Sequence, residues 1–166
     1  MNRHGNLQKY RNPNPLQKFL LTRFLHRISN LAEGLGAKRV LDCGSAEGFV
    51  LNRLLSERCA SEGIGIDIDR EALERGRQLH PSISFLPASA FACPFKDDSF
   101  DLVLCTEVLE HVVQPERVLN ELSRVTRRYV LLSVPHEPFF RAANFLRGKH
   151  VRRLGNDPEH IHNWTA

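Results

Sequence analysis

From Lys38 onward the chain repeats one unit, a short apolar run followed by an amphipathic stretch. Arg39-Val40-Leu41-Asp42-Cys43 reads as a buried strand, and Val50, Leu51, Leu54 and Leu55 mark the inner face of the helix after it. Gly63 to Asp67 is a second strand, and Asp69 caps a helix that runs through Leu79. Ile83 to Leu86 and Phe100 to Cys105 are the third and fourth strands. Pro115 opens a helix with Val118, Leu119, Leu122 and Val125 on one face, and Tyr129 to Val134 is the fifth strand. Strands separated by helices return in the same direction and pair in parallel through right-handed crossovers. The alternation therefore predicts an α/β domain, a mostly parallel sheet of about five visible strands with helices on both faces. In such a sheet, ligands bind at the carboxyl ends of the strands, near the point where the strand order reverses.

Ahead of this core, residues 1–13 read as a loose arm. Asn14 then supplies an N-cap and Pro15 a first helical residue. Leu16, Phe19, Leu20, Phe24, Leu25, Ile28 and Leu31 recur at helical spacing until Gly34 and Gly36 end the helix. The 166 residues suit one domain. It divides into an N-terminal arm and helix (1–37), a ligand-binding core (38–135) and a tail on the substrate side (136–166). The start is polar and basic without an apolar h-region, and no apolar run is long enough to span a bilayer. Cys43, Cys59, Cys93 and Cys105 lack metal-binding spacing. Cys43 and Cys105 fall at ends of buried strands, where a thiol behaves as a small apolar group. A reducing, cytoplasmic setting is the expectation. The net charge of +4 is concentrated at the two ends, in Lys9, Arg11, Lys18, Arg23 and Arg27, then Arg141, Arg147, Lys149, Arg152 and Arg153. That is a solvated basic surface or a face for an anionic substrate, lipid surface or nucleic acid. No RNA-binding signature or aromatic stacking array supports nucleic acid.

The turn after the first strand is Asp42-Cys43-Gly44-Ser45-Ala46-Glu47-Gly48. Its glycines allow a tight turn, and the helix behind it offers unpaired amides to a ligand. A glycine turn alone is also ordinary strand-to-helix punctuation. Asp67, at the tip of the second strand, adds an acid able to accept hydrogen bonds from both hydroxyls of a ribose. Turn and acid together suit an adenosine-containing cofactor and do not separate a nicotinamide dinucleotide from S-adenosylmethionine.

A later stretch separates them: Pro94-Phe95-Lys96-Asp97-Asp98-Ser99-Phe100-Asp101-Leu102-Val103, then Thr106-Glu107-Val108-Leu109-Glu110-His111. With the turn and Asp67, these residues resemble the type 11 group of class I S-adenosylmethionine-dependent methyltransferases. The group's usual pattern is D-x-G-x-G-x-G, an acid after strand two, L-P-F-x-D-x-S-F-D-x-V and L-E-H. The resemblance covers residues 38–135. Asp42, Gly44 and Gly48 match the first motif, and Asp67 the ribose acid. Pro94, Phe95, Ser99, Phe100 and Asp101 match the third, and Leu109, Glu110 and His111 the fourth. It implies a Rossmann-like fold, S-adenosylmethionine as cofactor and methyl transfer as the activity. It further implies a cofactor site of Asp42, Gly44, Ser45, Gly48, Asp67, Ile68, Ser89, Ala90, Thr106, Glu107 and His111. Gly44 and Gly48 would make room for the homocysteine part, and Ile68 would pack on the adenine or join the core. Thr106 and Glu107 would line the methionyl end, and His111 would orient or touch the cofactor. The chain departs from the pattern at Ala46, where the group has a glycine, at Ser89, where an Asp usually reaches the adenine amino group, and at Thr126-Arg127-Arg128, in place of a Pro-Gly-Gly turn.

The acceptor side is less defined. Methyl transfer needs a base only where the acceptor must lose a proton, and histidine titrates in the useful range. His136 follows the fifth strand and His160 lies in Asp157-Pro158-Glu159-His160-Ile161-His162. These two are the candidate catalytic residues. His160 and His162 also read as a metal pair without an evident third ligand, or as ordinary surface residues. Phe139, Phe140, Phe145 and Leu146 would give an apolar cover for a small-molecule, lipid or quinone-like acceptor, or plain sheet packing. The alternatives to a methyltransferase are a non-catalytic cofactor-binding module and an NAD-dependent oxidoreductase. The group's core usually has two more strands than are visible here. A bare fifth strand would pair with a second copy as a homodimer, or be covered by the tail through Phe139, Phe140, Phe145 and Trp164.

Overall fold

The computed structural model describes residues 7–134. Its elements follow in the order α1 (Leu7–Arg11), α2 (Pro15–Ala32), β1 (Arg39–Cys43), α3 (Phe49–Ser56), β2 (Glu62–Asp67), α4 (Arg70–Leu79), β3 (Ser84–Pro87), β4 (Phe100–Thr106), a 3-10 turn (Leu109–His111), α5 (Pro115–Val125) and β5 (Thr126–Ser133). The five strands form one sheet in the order β3-β2-β1-β4-β5, and every pairing is parallel. The Rossmann-like α/β expectation holds. The chain builds outward from β1 through β2 to β3, then returns to lay β4 on the other side of β1. The reversal falls between β1 and β4, where Val40 pairs with Leu102 and Asp42 with Leu104.

Strand alternation sends side chains to two cores. Val40, Leu102 and Leu104 face one of them, with Ile28 and Ala32 of α2, Leu51 and Leu54 of α3 and Leu73 of α4. Leu41, Cys43, Val103 and Cys105 face the other, with Val118, Leu122 and Val125 of α5. Helices thus cover both faces of the sheet.

The helix starts follow their caps. Asn14 Oδ1 accepts the Leu16 and Gln17 amides at the head of α2, and Asp69 Oδ1 accepts those of Glu71 and Ala72 at the head of α4. Two boundaries differ from the sequence reading by more than one residue. The expected loose arm contains α1. The last strand begins at Thr126 instead of Tyr129, because α5 passes into it without a turn. Thr126-Arg127-Arg128, expected to replace a turn, is therefore the first part of β5. Among the described residues β5 pairs only with β4, leaving Tyr129, Val130 and Leu132 partly exposed on the edge. The expected cover of Phe139, Phe140, Phe145 and Trp164 lies outside the described residues.

Candidate functional site

The carboxyl edge of the sheet gathers the candidate residues by the geometry of the turns that follow each strand. After β1 the chain folds back on β2: the Gly44 and Ser45 amides both donate to the Ile66 carbonyl, at 2.8 and 2.9 Å. The turn then closes on itself as the Gly48 amide meets the Ser45 carbonyl at 2.8 Å. Gly44 and Gly48 have φ of 82° and 78°, in the left-handed region open to glycine. A Cβ on Gly44 would come within 2.3 Å of Val108 Cγ2, and one on Gly48 within 2.6 Å of Phe85 Cζ. The space these glycines free is therefore filled by the protein's own side chains. What the turn turns toward a ligand is backbone.

Asp67, at the end of β2, closes the other side of this turn. Its Oδ2 accepts the Ala46 amide at 2.8 Å and its Oδ1 the Asp69 amide at 2.9 Å. Ala46 has φ of 46°, a left-handed conformation in a residue with a Cβ, and the bond to Asp67 helps hold it there. Ile68, next in the chain, is 77% exposed at the rim. The core alternative for Ile68 does not hold.

Asp42 sits at the end of β1, 1% exposed. Burial pushes its carboxyl up to about 7, and the nearby Asp67 carboxylate adds to the rise. Asp42 Oδ1 and the Ser45 hydroxyl are buried and meet no hydrogen-bond partner among the described residues. The same turn buries Glu47 completely, and the Arg75 guanidinium of α4 holds its Oε1 through Nε at 3.0 Å and Nη2 at 2.9 Å. Glu47 escaped the sequence reading. Its signal was an acid inside a turn whose neighbours are small and buried.

Across the reversal point, β4 ends at Thr106 and the next residue, Glu107, adopts φ of 58°. The end of β5 fixes it twice. The Glu107 amide donates to the Ser133 carbonyl at 3.0 Å, and the Ser133 hydroxyl donates to Glu107 Oε1 at 3.1 Å. A left-handed residue bearing a side chain costs about 1–3 kcal/mol and persists where its surroundings impose it. Next in the chain, the 3-10 turn buries Leu109 and Glu110, and leaves His111 exposed.

Past β3, Ser89 is half-buried and its Oγ accepts the Phe91 amide at 3.2 Å, while its carbonyl accepts the Ala92 amide. The hydroxyl is thus engaged in shaping its own turn. Ala90, beside it, packs against the second core.

Tyr10 was missed entirely. Residues 7–11 are too few to show a helical period. In the structure α1 stacks the Tyr10 ring on Phe49, the first residue of α3, with ring centres 3.9 Å apart and planes 11° from parallel. Burial raises the phenol's affinity for its proton, and the carboxylates of Asp42, Glu107 and Glu47 raise it further. The phenol thus feels the charge of acids from the ends of both β1 and β4. α1 thus lies against the first residue of α3.

Not every matched motif residue belongs to the site. Asp101 is the second residue of β4, at the opposite end of the sheet. Its Oδ2 accepts the Lys38 and Arg39 amides at 2.9 Å and its Oδ1 the Arg127 guanidinium at 2.8 Å. These donors, the Arg39 amide foremost, hold its carboxyl below the usual range. Arg124 likewise fastens the Pro94–Asp98 loop by donating to the Cys93 and Phe95 carbonyls and to Asp97. This stretch clamps strands and loop together.

Asp42, Gly44, Ser45, Gly48 and Asp67 thus share one edge with Ile68, Thr106 and Glu107, flanked by Ser89 and Ala90 after β3 and His111 after β4. His136 and His160 lie outside the described residues. No group of three or more potential metal ligands occurs among the described residues, nor is any helix there long and apolar enough to cross a membrane.

Residues 41–133 match the family model described as "Methyltransferase domain". An uncharacterized methyltransferase of Mycobacteroides abscessus is 34% identical over 113 residues, spanning 62% of this chain and 43% of that protein. A demethylmenaquinone methyltransferase of Renibacterium salmoninarum is 32% identical over 108 residues, spanning 61% of this chain and 44% of that protein. The crystal structure of YcgJ from Bacillus subtilis superposes with a TM-score of 0.65 at 25% identity, covering 87% of this chain and 63% of YcgJ. The chain spans less than half the length of the first two relatives.

Proposed function

This chain belongs to the methyltransferase domain family, and on that premise we propose that it binds S-adenosylmethionine at the carboxyl edge of its sheet and transfers the methyl group to a small-molecule, lipid or quinone-like acceptor. The observation that carries the reading is the set of acids around the strand reversal. Asp42, Asp67 and Glu107 come from the ends of three neighbouring strands.

The residues fit the cofactor's chemistry. Asp67 spends one lone pair of each oxygen on a backbone amide, which leaves acceptor capacity on both for the two ribose hydroxyls. Asp42 Oδ1 and the Ser45 hydroxyl are buried polar atoms that a bound donor would satisfy. Backbone of Gly44, Ser45 and Gly48 lines the homocysteine side, and Thr106 and Glu107 the methionyl end. Ile68 offers an exposed apolar surface to the adenine, with Ser89 and Ala90 at its other edge. His111 orients the turn after β4.

When bound, S-adenosylmethionine supplies a methyl on a sulfonium, open to in-line attack. The chain's residues position it, and positioning is a large part of the rate in such a displacement. The cation at the site is matched by the neighbouring acids. His136 and His160 serve the acceptor, one of them taking its proton where it has one to lose. The similarity to a demethylmenaquinone methyltransferase supports a quinone-like acceptor.

Calorimetric titration of the full chain with S-adenosylmethionine and with NAD tests the cofactor. Tighter binding of NAD overturns the reading. Mass spectrometry of material co-purified with the protein identifies the acceptor class. Saturable cofactor binding with no methylated product, across lipid, quinone and other small-molecule acceptors, would mark a non-catalytic module.

A further inference from the structure

We propose that the outer face of α2 docks on an anionic lipid bilayer. The helix already uses one side for the protein's own core. Ile28, Ser29 and Ala32 are buried, and Phe24 packs on the same cluster. A second apolar surface remains on its first two turns, where Leu16, Phe19 and Leu20 are 55%, 57% and 46% exposed. Soluble helices normally turn polar residues outward, so a clustered apolar trio beyond the core marks an interaction surface.

Charge says what the surface meets. The first acidic residue of the chain is Glu33, and before it stand Arg3, Lys9, Arg11, Lys18, Arg23 and Arg27. Those six cations exceed the whole chain's net charge of +4, so the remainder is net acidic. Arg23 and Arg27 continue the outer face from Phe19 at four-residue spacing. The Arg23 guanidinium lies over the Phe19 ring, 5.7 Å from its centre. An apolar strip interleaved with cations and free of acids is the composition of a helix lying in the plane of a bilayer. Its apolar residues enter the acyl boundary and its cations meet lipid phosphates.

Other occupants fit less well. A second copy would bring the same cations face to face. A nucleic acid would want a row of aromatic platforms, and Phe19 is the one aromatic residue on this face. The face also lies toward the site's end of the domain. α1, which sets Tyr10 on Phe49, joins the head of α2 through residues 12–14.

Co-sedimentation of the full chain with phosphatidylcholine vesicles, and with vesicles of phosphatidylcholine and phosphatidylglycerol, tests the proposal. The chain should pellet with the mixed vesicles and be released by salt. The F19E/L20E double variant should lower that binding by about tenfold or more, and R23E/R27E should abolish the preference for phosphatidylglycerol. Circular dichroism and thermal melting confirm that each variant is folded, and single variants F19S and R23Q replace any that is not. No binding to either vesicle, equal binding to both, or wild-type binding by a folded Phe19 variant overturns the proposal. So does tighter binding of a short RNA that F19E/L20E retains. Because no step uses the cofactor, this test stands apart from the titration with S-adenosylmethionine.

Discussion

The Asp67 carboxylate at the end of β2 holds the Ala46 amide at 2.8 Å, tying the second strand to the turn that follows the first. One side chain thereby sets the turn and, in the proposed function, receives the ribose. Asp67→Ala should weaken S-adenosylmethionine binding by about 30-fold, from two lost hydrogen bonds of about 1 kcal/mol each. Calorimetric titration reads the loss directly. Equal affinity in wild type and variant would remove Asp67 from the site.

Ala46 occupies a left-handed conformation that glycine adopts without strain. Ala46→Gly should therefore stabilise the fold by about 0.5–1 kcal/mol, the steric relief exceeding the added freedom of the unfolded chain. Urea unfolding measures it. A loss of stability would mean that the methyl's packing outweighs its strain.

Asp42 has a carboxyl pushed up to about 7 in the folded protein, against about 4 for an ordinary Asp. Between those values the native state binds more protons than the unfolded one, so Asp42 lowers stability progressively as pH rises from about 4 to about 7. Asp42→Asn removes that penalty. The variant should gain up to about 4 kcal/mol over wild type at pH near 8, and little at pH near 4. Unfolding curves at both pH values check the sign. A cationic ligand would draw the carboxyl back down, so S-adenosylmethionine binding near neutral pH should release a proton. Calorimetry in buffers of different ionisation enthalpy detects it.

Tyr10 makes two contributions that substitution separates. Tyr10→Phe keeps the stack on Phe49 and should leave stability within about 0.5 kcal/mol of wild type. Tyr10→Ala removes the stack and should cost about 0.5–1.5 kcal/mol. Both lose the hydroxyl whose proton the carboxylates of Asp42, Glu107 and Glu47 help to hold. If the hydroxyl reaches the cofactor, both should weaken its binding. Undiminished affinity in Tyr10→Phe would confine the residue to its stack on Phe49.

The β-α alternation was legible because each strand holds a short apolar run, and because helix caps that the structure uses, Asn14 and Asp69 among them, stand in the sequence. Asp42, Asp67 and the glycines were legible because their order along the chain is the order of the strands. Tyr10 and Glu47 were not. Each acts through a partner that only folding supplies, Phe49 for the one and Arg75 for the other. Asp101 was found as a motif residue, yet sequence could not tell that its carboxylate faces the amides of Lys38 and Arg39 at the far end of the sheet. Spacing reveals what lies on one element and is blind to what two elements bring together.

The strand order has a consequence for how the protein emerges from the ribosome. β1 lies at the middle of the sheet, and its second neighbour, β4, comes only after β2 and β3. A nascent chain ending before Phe100 holds the glycine turn and Asp67, but one side of β1 is still unpaired. Contacts so distant in sequence are slow to form, and half-built parallel sheets expose apolar edges meanwhile. Glu107 waits longer still, since the Ser133 carbonyl and hydroxyl that fix it are the last of β5 to be made. The site's two halves are therefore separated in time of synthesis as well as in space, and the acid-lined edge is complete only when β5 has docked.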